Sequence, residues 1–421
     1  MDTLNCQLTS GGPRYFTRRA YREATPTELT YIRTGTVVVS RSHIEGAVSR
    51  DEFDIAVAYL EDRYGILRAV VEDGQIVERE DDFSAVEAWL PAHTYSAEDV
   101  YATLLNAQLD TRVKVFSIYV LAADDGLDVF MLSSHAFTDA TSLVELHACL
   151  AYLCDCIARG ITPALEGQPF PHPVDPAVNR ALAALPVDQR GARVSYSGAF
   201  ARIPQRTALV GQPCRYRLER MVIEPADVQR ISAAAHAHGS SVHSLLLAAF
   251  ALAIGDMAQG EPRQILMRSS VDMRRRLEPH VSTELVFSAI TGHITPVPDL
   301  DRPLFEIARH IFDEIHAGVS NGLVLQDYVK YSKTFGSPQQ PPIALNVSDM
   351  QAVTFRWLTQ QLKVTAFDYA CGLRNFPNAS ISVYDGRLVA NIAYAEELID
   401  PDVMHTLSES VVAKLVSARA A

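Results

Sequence analysis

Leu127-Asp-Val-Phe-Met-Leu-Ser-Ser-His135-Ala-Phe-Thr-Asp139-Ala-Thr-Ser142 reads as a β-strand that delivers a histidine to its end, with an aspartate four residues on. Val113 to Val120 (VKVFSIYV) alternates and is rich in β-branched and aromatic side chains. Asp124-Asp-Gly126 is a turn signal, and Leu127 to Ser133 is the returning strand. From Ala140 the apolar residues fall at helical spacing, which predicts a helix. His135 therefore belongs to a strand-to-helix loop, where a rigid scaffold commonly holds side chains that do chemistry. In a chain with 13 histidines, about one His-x-x-x-Asp is expected by chance. It is the only such spacing here, since His280, His310 and His405 carry glutamate at that offset. The plain structural reading is a buried histidine bonded to backbone, with Asp139 capping the next helix. Both readings stand at this point.

The chain has 421 residues, 48% hydrophobic and 21% charged, a globular composition with enough length for two or three domains. Its formal net charge of -13 argues against nucleic acid or an anionic membrane as the main partner, because phosphate recognition needs a basic face. Local basic clusters remain at Arg14, Arg18, Arg19 and Arg22 and at Arg274-Arg-Arg276, and a solvated charged face explains each as well. Cys6, Cys149, Cys154, Cys156, Cys214 and Cys371 form no regular framework, and no basic region followed by an apolar run opens the chain. Reduced thiols and a cytoplasmic location are expected. Cys154-Asp-Cys156 is not expected to hold metal, because helical spacing puts residues i and i+2 on different faces. The longest apolar run, Leu245 to Ile254, is too short to cross a bilayer. Asn346-Val-Ser348 and Asn378-Ala-Ser380 match the glycosylation spacing but carry no weight without a secretion signal.

Strands are expected at Thr36 to Ile44 and Gly65 to Val71, with a helix from a Ser49 cap through Arg63 between them. Residues 77 to 96 look acidic and irregular, and a helix is expected from Ala97 to Leu109. Residues 161–212, proline-rich and then polar, read as a linker or crossover between a first half at 1–160 and a second at 213–421, with one short helix at Ala177 to Leu185. The second half opens with a strand at Arg215 to Ile223 and a helix from Ala226 to His238. A long apolar helix, Val242 to Met257, follows, then strands at Gln264 to Val271 and Leu285 to Ile294. A helix is expected at Pro303 to Val319 and a strand at Ile343 to Ser348. A hairpin turns at Asp385-Gly386, and a last helix runs from Pro401 to about Ala418.

This pattern resembles the condensation-domain and chloramphenicol-acetyltransferase-like superfamily of acyltransferases, and within it the stand-alone polyketide-associated enzymes of the phthiocerol dimycocerosyl transferase type. The resemblance covers nearly the whole chain. His135 and Asp139 match the last His and the Asp of the family's His-His-x-x-x-Asp-Gly motif. Ser134 stands in place of the first His and Ala140 in place of the Gly, where a Cβ restricts a tight loop. Gly65-Ile-Leu-Arg68 occupies the place of a His-Pro-x-Leu-Arg-like run, and Asp272-Met-Arg274 the place of Asp-Leu-Arg. No Asp-Phe-Gly-Trp-Gly run is present, which sets the chain apart from the plant alcohol acyltransferases.

The resemblance implies an α/β fold of two similar chloramphenicol-acetyltransferase-like sandwich domains with an active-site tunnel between them. It implies His135 as general base in acyl transfer from a thioester, either acyl-CoA or a phosphopantetheine-linked acyl group on an acyl carrier protein, to a small-molecule alcohol, giving an ester. It further implies that Asp139 pairs with an arginine rather than relaying protons, with Arg274 as the first choice and Arg309 or an arginine nearer the N-terminus as alternatives. The remaining implications are no bound cofactor, no metal, no membrane span and a monomer. A polyketide synthase or carrier protein would need a basic patch, for which Arg274-Arg-Arg276 and the N-terminal arginines are candidates. An amide-forming condensation enzyme and a catalytically inactive docking module for carrier proteins remain as competing readings. Loss of turnover in His135→Ala with an unchanged melt would separate the enzyme from the docking module.

Overall fold

The protein is described by a computed structural model over residues 18–79, 83–91, 93–192, 196, 198–206, 214–258, 262–335 and 340–418. Cys6 and Arg14, and the side chains of Arg18 and Arg19, lie outside that description. The first strand, β1, is Arg18–Glu23. Helix α1, Pro26–Thr34, starts at a Thr25/Glu28 capping box and stops at Gly35, whose φ of 62° few residues other than glycine adopt. Strand β2 is Val37–Glu45, and α2, Arg50–Arg63, starts at the expected Ser49 cap, reciprocated by Glu52. Gly65–Arg68 is a 3-10 turn rather than the start of a strand. Ile66 and Leu67 are both buried, and a turn can bury adjacent side chains where a one-sided strand cannot. The strand β3 is only Ala69–Glu72.

Residues expected to be irregular contain β4, Gln75–Arg79, and β5, Val86–Pro91. Asp73 and Gly74, at φ of 48° and 79°, form the turn that pairs β4 with β3. Helix α3 covers Ala97–Leu105, shorter than expected, and the hairpin is β6, Phe116–Ala122, with β7, Gly126–Ser134. Helix α4, Ala140–Ala158, starts at Asp139. It is the one described helix long and apolar enough to cross a membrane, and 78% of that window is buried inside the protein.

Downstream come α5 (Val174–Ala184), β8 (Tyr216–Ile223), α6 (Pro225–Ala237) and α7 (Val242–Met257), all close to expectation. Next are β9 (Ile265–Asp272) and β10 (Ile290–Val297). Helix α8 (Leu304–Ser320) matches the sequence pattern, whereas α9 (Leu323–Thr334) was not anticipated. Then follow β11 (Leu345–Ala352), the unanticipated β12 (Lys363–Cys371), the hairpin β13 (Asn378–Tyr384) with β14 (Arg387–Ala395), and α10 (Pro401–Ser417).

The contacts divide this mixed α/β chain into two units. The first runs through Asp175 and takes in two later segments, Pro279–Ala289 and Val353–Cys371. It holds a five-stranded sheet in the order β12-β2-β7-β6-β5 and a three-stranded sheet β1-β4-β3. The second unit holds a six-stranded sheet, β10-β9-β11-β13-β14-β8. Its core is built around α7, in which Leu245, Leu246, Leu247, Phe250 and Ile254 are fully buried, each large side chain contributing about 2 kcal/mol. That all-round burial is why α7 reads as continuously apolar.

In the first unit α4 lies on β2 by way of a buried histidine. His147 is held between Ser40 Oγ, 2.8 Å from Nε2, and Ser42 Oγ, 2.7 Å from Nδ1. Burial drives its pKa from 6.5 to about 3. Between those values the unfolded chain takes up a proton that the folded chain refuses. His147 therefore contributes its full stability above pH 6.5 and loses it as the pH falls toward 3. Urea denaturation at pH 7 and pH 4.5 checks this: wild type should lose about 2 kcal/mol more than His147→Gln over that interval. An equal loss in both would refute it.

Candidate active site

The backbone ladder of the first sheet sets the position of His135. Ser134, the last residue of β7, pairs with Val37 of β2, and its N–H donates to the Val115 carbonyl at 2.9 Å. One residue on, the His135 N–H donates to the Thr36 carbonyl at 2.9 Å, so the strand still grips the chain where the side chain leaves it. The amides of Phe137 and Thr138 both turn back to the Ser134 carbonyl, at 3.0 and 3.3 Å, and close the loop tightly. Ser134 is buried, and its Oγ accepts a long bond, 3.4 Å, from the Ala136 amide.

The imidazole of His135 is half-buried. Its Nδ1 lies 2.9 Å from the Thr138 carbonyl oxygen. A carbonyl only accepts, so Nδ1 carries the proton and the neutral ring has its lone pair on Nε2. The other face of the ring stacks on Tyr31 of α1, with centroids 4.5 Å apart. A backbone acceptor and an aromatic plate thus fix both the tautomer and the orientation of the ring.

Asp139 is 2% exposed and sits at the N-cap of α4, its Oδ1 accepting from the Ser142 N–H at 3.0 Å. The plain structural reading of the motif, a backbone-bonded histidine beside a capping aspartate, is therefore present. Asp139 does more than cap. Its Oδ2 accepts from the Ala289 N–H at 2.9 Å, and Ser142 Oγ donates to the Phe287 carbonyl at 2.8 Å while accepting from the Phe287 N–H at 3.0 Å. One helix terminus thereby holds the segment Pro279–Ala289 against the motif loop. This is why the strand expected from Leu285 begins only at Ile290: the amides of Phe287 and Ala289 are taken by side chains of the first unit. Nothing local in the sequence around 285 carries that information.

Ala140 is the first residue of α4 and is not among the described residues with positive φ, so the glycine of the family motif is not required here. Arg274 is fully buried in the second unit, where its N–H and Nη1 meet Asp272 Oδ1 at 2.8 and 3.3 Å. Arg309 is exposed, and its described partners are Asp313 and the Gly239 carbonyl. Of the basic clusters, Arg275 and Arg276 are exposed, while Arg22 is neutralised by Glu28 at 2.7 Å. Cys154 and Cys156 are buried in α4. Among the described residues no group of three or more His, Cys, Asp or Glu is placed to hold a metal ion.

Asp139→Ala should lower stability by roughly 2–4 kcal/mol in chemical denaturation, combining a lost cap with a buried Ala289 N–H left without its acceptor. Asp139→Asn keeps one acceptor oxygen but turns an NH2 donor toward the other amide N–H, so it should recover at most about half of that loss. A fully stable alanine variant would show that the carboxylate holds neither the helix nor the segment.

Residues 212–389 match the family model described as the phthiocerol/phthiodiolone dimycocerosyl transferase C-terminus. No curated protein sequence matches the chain. Solved structures do. Polyketide synthase associated protein 5 from Mycobacterium tuberculosis has a TM-score of 0.73 at 15% identity, over 94% of this chain and 97% of its own. A trichothecene 15-O-acetyltransferase from Fusarium sporotrichioides has 0.72 at 13% identity, over 98% and 97%. The condensation domain of the monacolin K polyketide synthase has 0.69 at 10%, over 95% and 97%. The chain has the fold of these two-lobed condensation and acyltransferase proteins.

Proposed function

We propose that this chain, which carries the condensation-domain and acyltransferase fold and a C-terminal segment of the phthiocerol dimycocerosyl transferase type, transfers an acyl group from a thioester to a hydroxyl, with His135 as general base. The observation that carries the reading is the 2.9 Å bond from His135 Nδ1–H to the Thr138 carbonyl, which leaves Nε2 as the acceptor of a proton. The acceptor hydroxyl gives its proton to Nε2 as its oxygen attacks the thioester carbonyl. The tetrahedral intermediate then collapses with loss of the thiolate, which takes the proton back from Nε2. Catalysis in this scheme is base placement and orientation, without an acyl-enzyme. Asp139 is a positioning residue, because both its oxygens are engaged by backbone amides.

The donor is an acyl-CoA or an acyl chain on a carrier protein's phosphopantetheine. The exposed Arg275 and Arg276 are the described basic residues for an acidic carrier or a polyketide synthase partner, in a chain of net charge -13. The same base serves an amine acceptor, so ester and amide formation are separated by the product. The direct test is incubation with acyl-CoA and acyl-carrier donors of graded chain length and a simple alcohol or amine, following free thiol and the mass of the product. Thiol release matched by ester supports the reading. Amide in its place moves the chain to the condensation class, and no acyl transfer from either donor type counts against catalysis altogether.

A further inference from the structure

Arg268 lies midway along β9 and, like Arg220 on β8, which meets Asn391 Oδ1 at 3.1 Å, has an amide oxygen as a described partner, whereas several arginines of its unit meet carboxylates. Arg263, Arg302, Arg309 and Arg387 each meet a carboxylate, at 2.6 to 3.3 Å. The described partner of Arg268 is a neutral amide: Nη1 donates to Asn346 Oδ1 at 2.9 Å, across the parallel pairing of β9 with β11. Among the described residues no carboxylate lies within ion-pair reach of it. A guanidinium has five N–H donors and stays charged, so a half-buried one without a counter-ion carries a desolvation cost that a bound anion would relieve.

Two features hold this group in place. A Cβ on Gly292 of the neighbouring strand β10 would fall 1.9 Å from the guanidinium carbon of Arg268 and 2.0 Å from Nε and Nη2. The missing side chain is therefore the space in which the guanidinium lies. The Asn346 amide cannot rotate away, because its Nδ2 donates to Ser270 Oγ at 3.1 Å and to Asn378 Oδ1 at 2.5 Å, and Asn378 Nδ2 donates on to Ser380 Oγ at 3.1 Å. Buried Asn346, Asn378 and Ser380 thus form a chain of polar side chains that ends on the arginine. Arg268 is only half-buried, and among the described residues no hydrogen bond engages its Nε or Nη2.

We propose that Arg268, lying over Gly292 and anchored by Asn346, binds an oxyanion of a substrate, a carboxylate or a phosphate, through its planar fork. The anion site stands on this geometry. Its use as the anchor of an acyl donor or acceptor rests on the acyl-transfer reading. Calorimetric titration of the full chain with sodium pyrophosphate and with succinate tests it, on wild type, Arg268→Gln and Gly292→Ala, with a thermal melt of each. Wild type should bind at least one of the two anions saturably, and both variants should bind it at least tenfold more weakly. Gly292→Ala keeps the charge and displaces only the guanidinium, so it carries the test where the glutamine variant melts early. Equal binding by all three proteins, or none by wild type, overturns the proposal.

In turnover, Arg268→Gln should raise KM for the anionic substrate tenfold or more, with the larger part of the loss on KM rather than kcat. If the loss appears with a CoA thioester and not with the N-acetylcysteamine thioester of the same acyl group, the oxyanion is a phosphate. If it appears with both, it is a carboxylate. Should wild type turn over no thioester while anion binding still depends on Arg268, the acyl-transfer reading fails and the anion site stands. Turnover that depends on His135 beside anion binding indifferent to Arg268 is the reverse.

Discussion

His135→Ala should lower kcat/KM for acyl transfer by about 10²- to 10⁴-fold, the range that a positioned general base supplies. The fold should survive it. The imidazole is half-buried, and the described contacts that the alanine gives up include the bond to the Thr138 carbonyl and the stack on Tyr31. Those contacts together are worth about 1–3 kcal/mol. His135→Asn separates anchoring from catalysis. Its amide N–H occupies the place of Nδ1 and can keep the Thr138 bond, but nothing stands at Nε2. It should be as inactive as alanine and closer to wild type in its melt. Retained turnover in the asparagine variant would move the proton transfer to another group and sink the assignment of Nε2.

Glu145→Ala should be the most destabilising of these substitutions, by about 3 kcal/mol or more in urea denaturation. The carboxylate, with 5% side-chain exposure, accepts from the Tyr64 hydroxyl at 2.6 Å, from Arg356 Nε at 2.7 Å and from Trp357 Nε1 at 3.2 Å. Removing one partner of a buried pair typically costs about 3–5 kcal/mol, because the other is left uncompensated. The lower end applies here, since the Arg356 side chain is 35% exposed and retains Glu284. The change should also loosen the segment Val353–Cys371. On α4, Glu145 holds that segment at Arg356, and Asp155 holds it further on, its Oδ1 accepting from the amides of Gln360, Gln361 and Leu362 at 3.0, 2.6 and 2.9 Å. Burial opposes the Asp155 charge, yet these amides and Arg159 together hold its carboxyl below the ordinary value. Hydrogen exchange in β12 should accelerate in Glu145→Ala. A loss under about 1 kcal/mol, with β12 protected as before, would mean that strand pairing alone keeps the segment docked.

Much of the molecule is legible along the chain because its signals are local. Ser49 with Glu52, Asp139 before an apolar stripe, and Asp385-Gly386 between alternating runs act over a few residues, and the structure places caps and a turn there. The His135 loop belongs to the same class, since a hairpin strand and a helix start lie within twenty residues of one another. Strand β5 was missed because it is a parallel edge strand, with no hairpin partner adjacent in sequence to announce it. Strand β12 was missed because its partner, β2, is more than 300 residues earlier in the chain.

The hairpin before His135 and the capped helix after it are readable in the residues alone, because hydrophobic period and capping are properties of short windows. The long-range partners of Asp139, Ser142, Glu145 and Asp155 emerge only in the folded chain. Each of these residues presents a polar group at the start or on the buried side of α4, with partners among Phe287, Ala289 and residues 356–362, which lie 145 or more positions away in sequence. A buried carboxylate must find donors, and neither its residue type nor its neighbours in sequence say which. The same holds for Arg268, whose meaning depends on a missing side chain on the next strand.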